Sequence, residues 1–152
     1  MDHSIVWILW HLARIEDVTM NMLVAGTKQV FDKGKWTDKL KVSLIHTGNA
    51  MSKMEIIELS NSIDIDQLRK YRVAVGCQTE KIVKQLDSAE IDQKVSSSRL
   101  DFVLQEGAVV EGAKGLIDYW SKRTIAGLLL MPPTRHCFIH LNEALKIKKK
   151  VT

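Results

Sequence analysis

Near its beginning the chain carries an apolar seam with a histidine in the middle of it. Ile8, His11, Ile15, Val18, Met22 and Ala25 recur at alternating steps of three and four residues, which places all of them along one side of an α-helix. A seam of this kind is covered by other helices, so the chain has to fold around helix-on-helix packing. An imidazole inside such a stripe needs a polar partner in the interior. This helix is expected from about Ser4 to Ala25, with Gly26 as its stop. Arg14, Glu16 and Asp17 lie off the seam.

Beyond Gly26 the periodicity disappears as far as Met51, where Gly34, Gly48 and Asn49 punctuate a long connection. Ser52 and Glu55 form a capping box that opens a short helix through about Leu59. Asp64 or Asp66 then caps a longer helix to about Leu86, with Leu68, Tyr71, Val75, Ile82 and Leu86 on one side. Residues 87–112 read as irregular, and Arg99 to Leu104 fits either a turn of helix or a short strand. A further helix is expected from Ala113 to Met131, halted by Pro132-Pro133. Thr134 then caps a last helix that reaches Lys150. The sum is an all-α bundle in one domain.

Composition agrees with that class. Of the 152 residues, 26% are charged and 45% hydrophobic, an ordinary globular balance. The apolar runs Ile5–Trp10 and Leu128–Met131 are far short of the roughly 20 residues a bilayer span needs. The start, Met-Asp-His-Ser, shows no basic segment or cleavage site of a secretion signal, so a cytoplasmic protein is expected. Cys77 and Cys137 form no C-x-x-C pair and read as free thiols. The formal net charge of +4 is concentrated in Lys146, Lys148, Lys149 and Lys150, where cations complement a helix C-terminus. No groove-reading motif accompanies them, so nucleic acid is not expected as a partner.

The chemistry-bearing residues gather at the two ends of the sequence. His136 and His140 form an H-x-x-x-H pair, which on a helix stacks two imidazoles one turn apart. With His11 from a facing helix they complete a three-nitrogen site with one side open, the plan of catalytic zinc-type centres. Each part has a plainer reading. An isolated histidine on a seam is usually a hydrogen-bonded core residue, and the pair lacks the Glu of H-E-x-x-H. Asp17 and Glu143 are candidates to orient an imidazole through its other nitrogen, with surface salt bridging as the alternative. Cys137 points about 100° away from the ligand face. Arg135 could hold an anionic group of a substrate or merely cap its helix, and Tyr119 is a second polar candidate for substrate binding. Trp7, Trp10 and Trp120 read as core or pocket wall. His46 is expected in solvent, and His3 at the frayed start of the first helix. No nucleophile elbow, P-loop or dinucleotide fingerprint is present.

The segments Ile8-Leu9-Trp10-His11-Leu12-Ala13-Arg14-Ile15-Glu16-Asp17 and Met131-Pro132-Pro133-Thr134-Arg135-His136-Cys137-Phe138-Ile139-His140-Leu141-Asn142-Glu143 resemble the DinB-like superfamily of metal-binding four-helix bundles. The resemblance implies a divalent metal, commonly zinc or nickel, on His11, His136 and His140. It also implies a small-molecule substrate and a thiol-dependent transferase, an isomerase or a hydrolase. Members usually place a whole helix before the His-bearing one, whereas here that helix comes almost at once. Many also build the last helix without the interruption that Pro132-Pro133 introduces. An unfilled groove left by a missing leading helix tends to recruit a second copy, so a homodimer is expected. The competing expectation is a non-catalytic bundle, a stress-response or interaction protein in which metal serves stability alone.

Overall fold

Ser4 opens the first helix, its hydroxyl accepting the Trp7 N–H at 3.0 Å. The structure is a computed structural model that describes residues 3–151. Helix α1, Ile5–Asp17, widens into a π-helical stretch, Val18–Val24, in which the Ala25 N–H reaches back to the Met20 carbonyl at 3.0 Å. Gly26 ends it, as expected, at a φ of +65°. The Arg99 guanidinium caps this end by donating to the Leu23 and Val24 carbonyls at 2.9 and 2.8 Å. It packs so close that a Cβ on Gly26 would stand 2.8 Å from it.

The seam is buried except at its last member, Ala25, and so is what surrounds it: every residue from Trp10 to Val24 is shielded from solvent. This segment is therefore the axis of the fold. Along α1 pack α4 (Lys53–Ser62), α5 (Ile65–Gln85) and the last helix, while the π stretch packs against α5, α6 (Ser97–Gln105) and α8 (Ile125–Leu129). Two apolar clusters follow one another along the axis. The first gathers Trp7, Ile8, Trp10, Phe31, Leu68 and Tyr71. The second gathers Val18, Met20, Leu23, Val103, Trp120 and Leu128. Among the described residues there is no strand, only one isolated bridge between Lys94 and Thr124.

An all-round buried helix that contains Arg14, Glu16 and Asp17 must pair each charge inside the protein. Arg14 donates to the Tyr71 hydroxyl at 2.9 Å and to the Ile45 carbonyl, and lies over the Phe31 ring at 4.2 Å. Asp17 accepts from the Tyr71 hydroxyl at 2.7 Å, from Asn21 Nδ2 at 2.8 Å, and from the Val30 and Phe31 N–H groups at 2.8 and 2.9 Å. Its carboxylate thus receives the first turn of α2, Val30–Lys33, which leads into α3, Trp36–Leu40. Glu16 is taken up separately, by Arg72 at 2.8 Å and the Thr79 hydroxyl at 2.7 Å.

The remaining expectations divide. The Ser52–Glu55 capping box forms, and Asp64 rather than Asp66 caps α5 by accepting from Gln67 N–H at 3.0 Å. The segment around Arg99–Leu104 is helix. The single helix expected from Ala113 to Met131 is instead two, α7 (Gly115–Ser121) and α8. Thr124 recaps the chain by accepting from the Gly127 N–H at 3.1 Å, while the free N–H groups of Ile125 and Ala126 donate to the Gln93 and Ile91 carbonyls at 2.9 and 2.8 Å. Pro132-Pro133 does not halt a helix. The prolines sit in a second π-helical stretch, Met131–His136, that runs straight into α9, Cys137–Val151. A proline ring crowds the carbonyl four residues back and offers no N–H, and the wider turn relieves both. Thr134 is no N-cap: its hydroxyl donates back to the Leu130 carbonyl at 2.7 Å.

Replacing Asp17 with Ala strands the Arg14 charge and two backbone N–H groups, and is expected to cost about 3–5 kcal/mol of unfolding free energy. Urea denaturation reads this directly. A loss below about 1 kcal/mol, the level of an exposed pair, would show that the network does not hold the fold.

Candidate metal centre

His11 comes from the middle of α1, His136 from the end of the second π stretch and His140 from the first turns of α9. Their ring centroids lie 4.9, 5.1 and 4.6 Å apart, each pair of rings steeply inclined to the other. One nitrogen from each lies within 4.8 Å of the others, and His11 Nε2 stands 3.1 Å from His136 Nε2. Nitrogens bound to one tetrahedral ion at about 2.1 Å are about 3.4 Å apart, so the closest pair already has that spacing.

The outer contacts decide which nitrogens are bare. His11 Nδ1 meets the Thr47 carbonyl at 2.8 Å. A carbonyl only accepts, so the neutral ring carries its hydrogen on Nδ1 and a lone pair on Nε2. His140 Nδ1 meets Glu143 Oε2 at 2.9 Å, and the same reasoning bares its Nε2. The His11 Nε2 lone pair faces His136 Nε2 at 3.1 Å, a position from which that nitrogen either donates its hydrogen to His11 or shares a cation with it. His136 Nδ1 is buried without a partner among the described residues. The donor set, its spacing and the tautomers of His11 and His140 fit a divalent ion that accepts imidazole.

Burial is the main reason His11 falls to a pKa of about 3, with the nearby imidazoles adding to the effect against the Thr47 hydrogen bond. Burial and His140 bring His136 to about 4. Both are uncharged at neutral pH, so an ion meets lone pairs rather than protons. Burial opposes ionisation of Glu143, yet hydrogen bonds from His3 and His140 hold its carboxyl below the usual range.

Trp7 forms one wall. Its ring stacks on His11 at 4.6 Å and its indole N–H donates to the Gly48 carbonyl at 3.3 Å. Gly48 has a φ of +83°, and a Cβ there would lie 3.1 Å from the Trp7 nitrogen, so this turn needs glycine to bring Thr47 against His11. Trp10 and Trp120 are core.

The other candidates part company. Glu143 touches the cluster as expected. Asp17 does not: it is fully buried in the Arg14–Tyr71 network and neither bridges at the surface nor meets an imidazole. Tyr119 packs in the second core, with the Arg123 guanidinium 4.2 Å over its ring, whereas the histidines adjoin the first. Arg135 is exposed. Cys137 turns its thiol to the Pro132 carbonyl at 3.3 Å, away from the ligand group. His46 is half-buried, accepting from the Gly48 N–H at 3.1 Å. Two contributors were missed. Thr47 acts through its backbone and leaves no side-chain signal. His3 pairs with Glu143 at 2.8 Å and stacks on Trp7 at 3.8 Å; the even spacing of His3, Trp7 and His11 at four residues was the available clue. No protein-family model matches the chain, and no curated protein matches it in sequence.

The low histidine pKa values set a pH dependence. His11 and His136 titrate near 3 and 4 when folded and near 6.5 when unfolded. Below 6.5 the unfolded chain takes up protons that the folded one refuses, so stability is full above that pH and is lost as pH falls toward 4 and then 3. Between pH 7.5 and 5.5 the two together should remove about 2–3 kcal/mol from the chelator-treated protein. The slope should flatten in a His11→Gln, His136→Gln variant; equal slopes in the two proteins would refute the assignment.

Proposed function

We propose that the chain is a DinB-like bundle that binds a divalent metal, zinc or nickel, on His11, His136 and His140. Its reaction is on a small molecule, of the thiol-transferase, isomerase or hydrolase type. The observation that carries this reading is the meeting of three imidazoles from two helices, two of them with Nδ1 occupied by outer acceptors so that Nε2 is free. When bound, the metal supplies Lewis acidity, bringing a water or thiol toward ionisation at neutral pH. The chain's own part is orientation. Thr47 and Glu143 fix two tautomers, Trp7 walls one side, and burial keeps His11 and His136 deprotonated. Arg135, exposed on the turn before His136, is the cation in this reading for an anionic part of the substrate.

No helix among the described residues is long and apolar enough to cross a membrane, and the two free cysteines suit a reducing compartment such as the cytoplasm. Phe138, Leu141 and Leu145 lie exposed along one line of α9, which suits burial against a second copy of the chain.

Elemental analysis of untagged protein should find metal near one equivalent per chain, and the His136→Ala variant should lose most of it; undiminished content in that variant defeats the ligand assignment. Sedimentation at micromolar concentration should report a dimer that Leu141→Glu dissociates, and a monomer in the unsubstituted protein would remove self-association from the reading.

A further inference from the structure

We infer that His3 is a positioning residue of this centre, acting through Glu143. It holds the carboxylate whose other oxygen fixes the hydrogen on His140 Nδ1. The inference rests on the metal reading above and adds a fourth imidazole to the layer outside the ligands.

Each oxygen of Glu143 faces a different ring: Oε2 lies 2.9 Å from His140 Nδ1 and Oε1 lies 2.8 Å from His3 Nδ1. An ionised carboxylate only accepts, so both rings present Nδ1–H to it. Glu143 retains 33% side-chain exposure. A glutamate in that position samples several rotamers, and holding one of them costs conformational entropy. The second hydrogen bond, from His3, narrows that choice to the rotamer that serves His140.

His3 is itself located by the ladder beneath it. It stacks on Trp7 with ring centroids 3.8 Å apart and an interplanar angle of 14°, and Trp7 stacks on His11 at 4.6 Å and 9°. His3 therefore reaches one ligand through a carboxylate and another through an indole. It precedes the first helical residue, Ile5, and the Ser4 hydroxyl beside it is tied to Ser60 Oγ at 2.6 Å. Partners that orient a metal-binding imidazole raise metal affinity, and His3 acts one bond further out.

The test is titration of the full chain with zinc ion against a chromophoric chelator, for the unsubstituted protein and for His3→Ala, His3→Asn, His3→Gln and Glu143→Gln. Glu143→Gln should weaken binding about 10- to 100-fold, and His3→Ala by a smaller step of about 3- to 10-fold. His3→Asn should restore affinity to within about twofold, because its amide nitrogen can stand where Nδ1 stands. His3→Gln, whose amide stands further out, should not. In the Glu143→Gln background, His3→Ala should have no further effect. Unchanged affinity in His3→Ala overturns the inference, as does an Asn variant as weak as the Ala one, which would reduce His3 to a stacking partner of Trp7. If the unsubstituted chain binds no zinc, nickel or cobalt, the metal reading itself fails and takes the inference with it. Nitrogen NMR of the metal-free protein gives a second readout: His140 should hold its hydrogen on Nδ1 in the unsubstituted and Asn proteins and become a tautomer mixture in His3→Ala.

Discussion

Arg14 and Asp17 lie three residues apart on a helix that water does not reach, and the rest of the molecule is arranged to satisfy them. Two buried charges are tolerable only when they are paired and hydrogen-bonded, and of this pair's charged-group atoms Arg14 Nε alone is buried without a partner among the described residues. Asp17 meets that demand by taking the leading N–H groups of α2, and Arg14 by taking the Ile45 carbonyl. Tyr71 from α5 closes the set between them. The pair therefore anchors both ends of the long connection after the first helix. Ile45 is two residues before Thr47, whose carbonyl orients His11. His11 is thus set by a charge pair one turn along its own helix, by way of a loop.

The centre has a thermodynamic cost built into it. Taking His11 and His136 out of water removes their ability to carry a proton at neutral pH, and the fold sustains this with the hydrogen bonds and stacking around them. An ion then displaces no proton from either ring, so binding at neutral pH does not work against their protonation. A histidine on a solvated helix face would need neither the Thr47 carbonyl nor the Trp7 wall.

Much of the helical framework was readable because its signals are local. A capping box, an N-cap aspartate and a glycine stop act within a turn or two, and Ser52, Asp64 and Gly26 behave as their neighbours dictate. The histidine trio was legible because a helical repeat fixes which side chains share a face, although convergence between helices is a matter of packing. What was not legible depends on partners distant in sequence. Asp17 looks like a surface carboxylate until Val30, Phe31 and Tyr71 arrive. The break between α7 and α8 is made by carbonyls more than 30 residues earlier, at Ile91 and Gln93. The proline pair carries the local signature of a stop, and a wider helical turn accommodates it. His3 lacked weight because its partner, Glu143, lies 140 residues away.

That wider turn has a consequence for how this chain can change. A π-helical stretch is the form a helix takes when it absorbs one surplus residue, and Met131–His136 ends on one of the clustered imidazoles and stands just upstream of another, His140. Each residue of an α-helix advances the chain by about 100°. A single-codon deletion there would index the whole of α9 around its axis, swinging His136 and His140 out of convergence with His11 while leaving their spacing from each other intact. Substitutions among the five residues ahead of His136 are graded in effect; a change in their number is all or nothing, so the insertion and deletion tolerance of Met131–Arg135 should be far lower than their chemical ordinariness suggests.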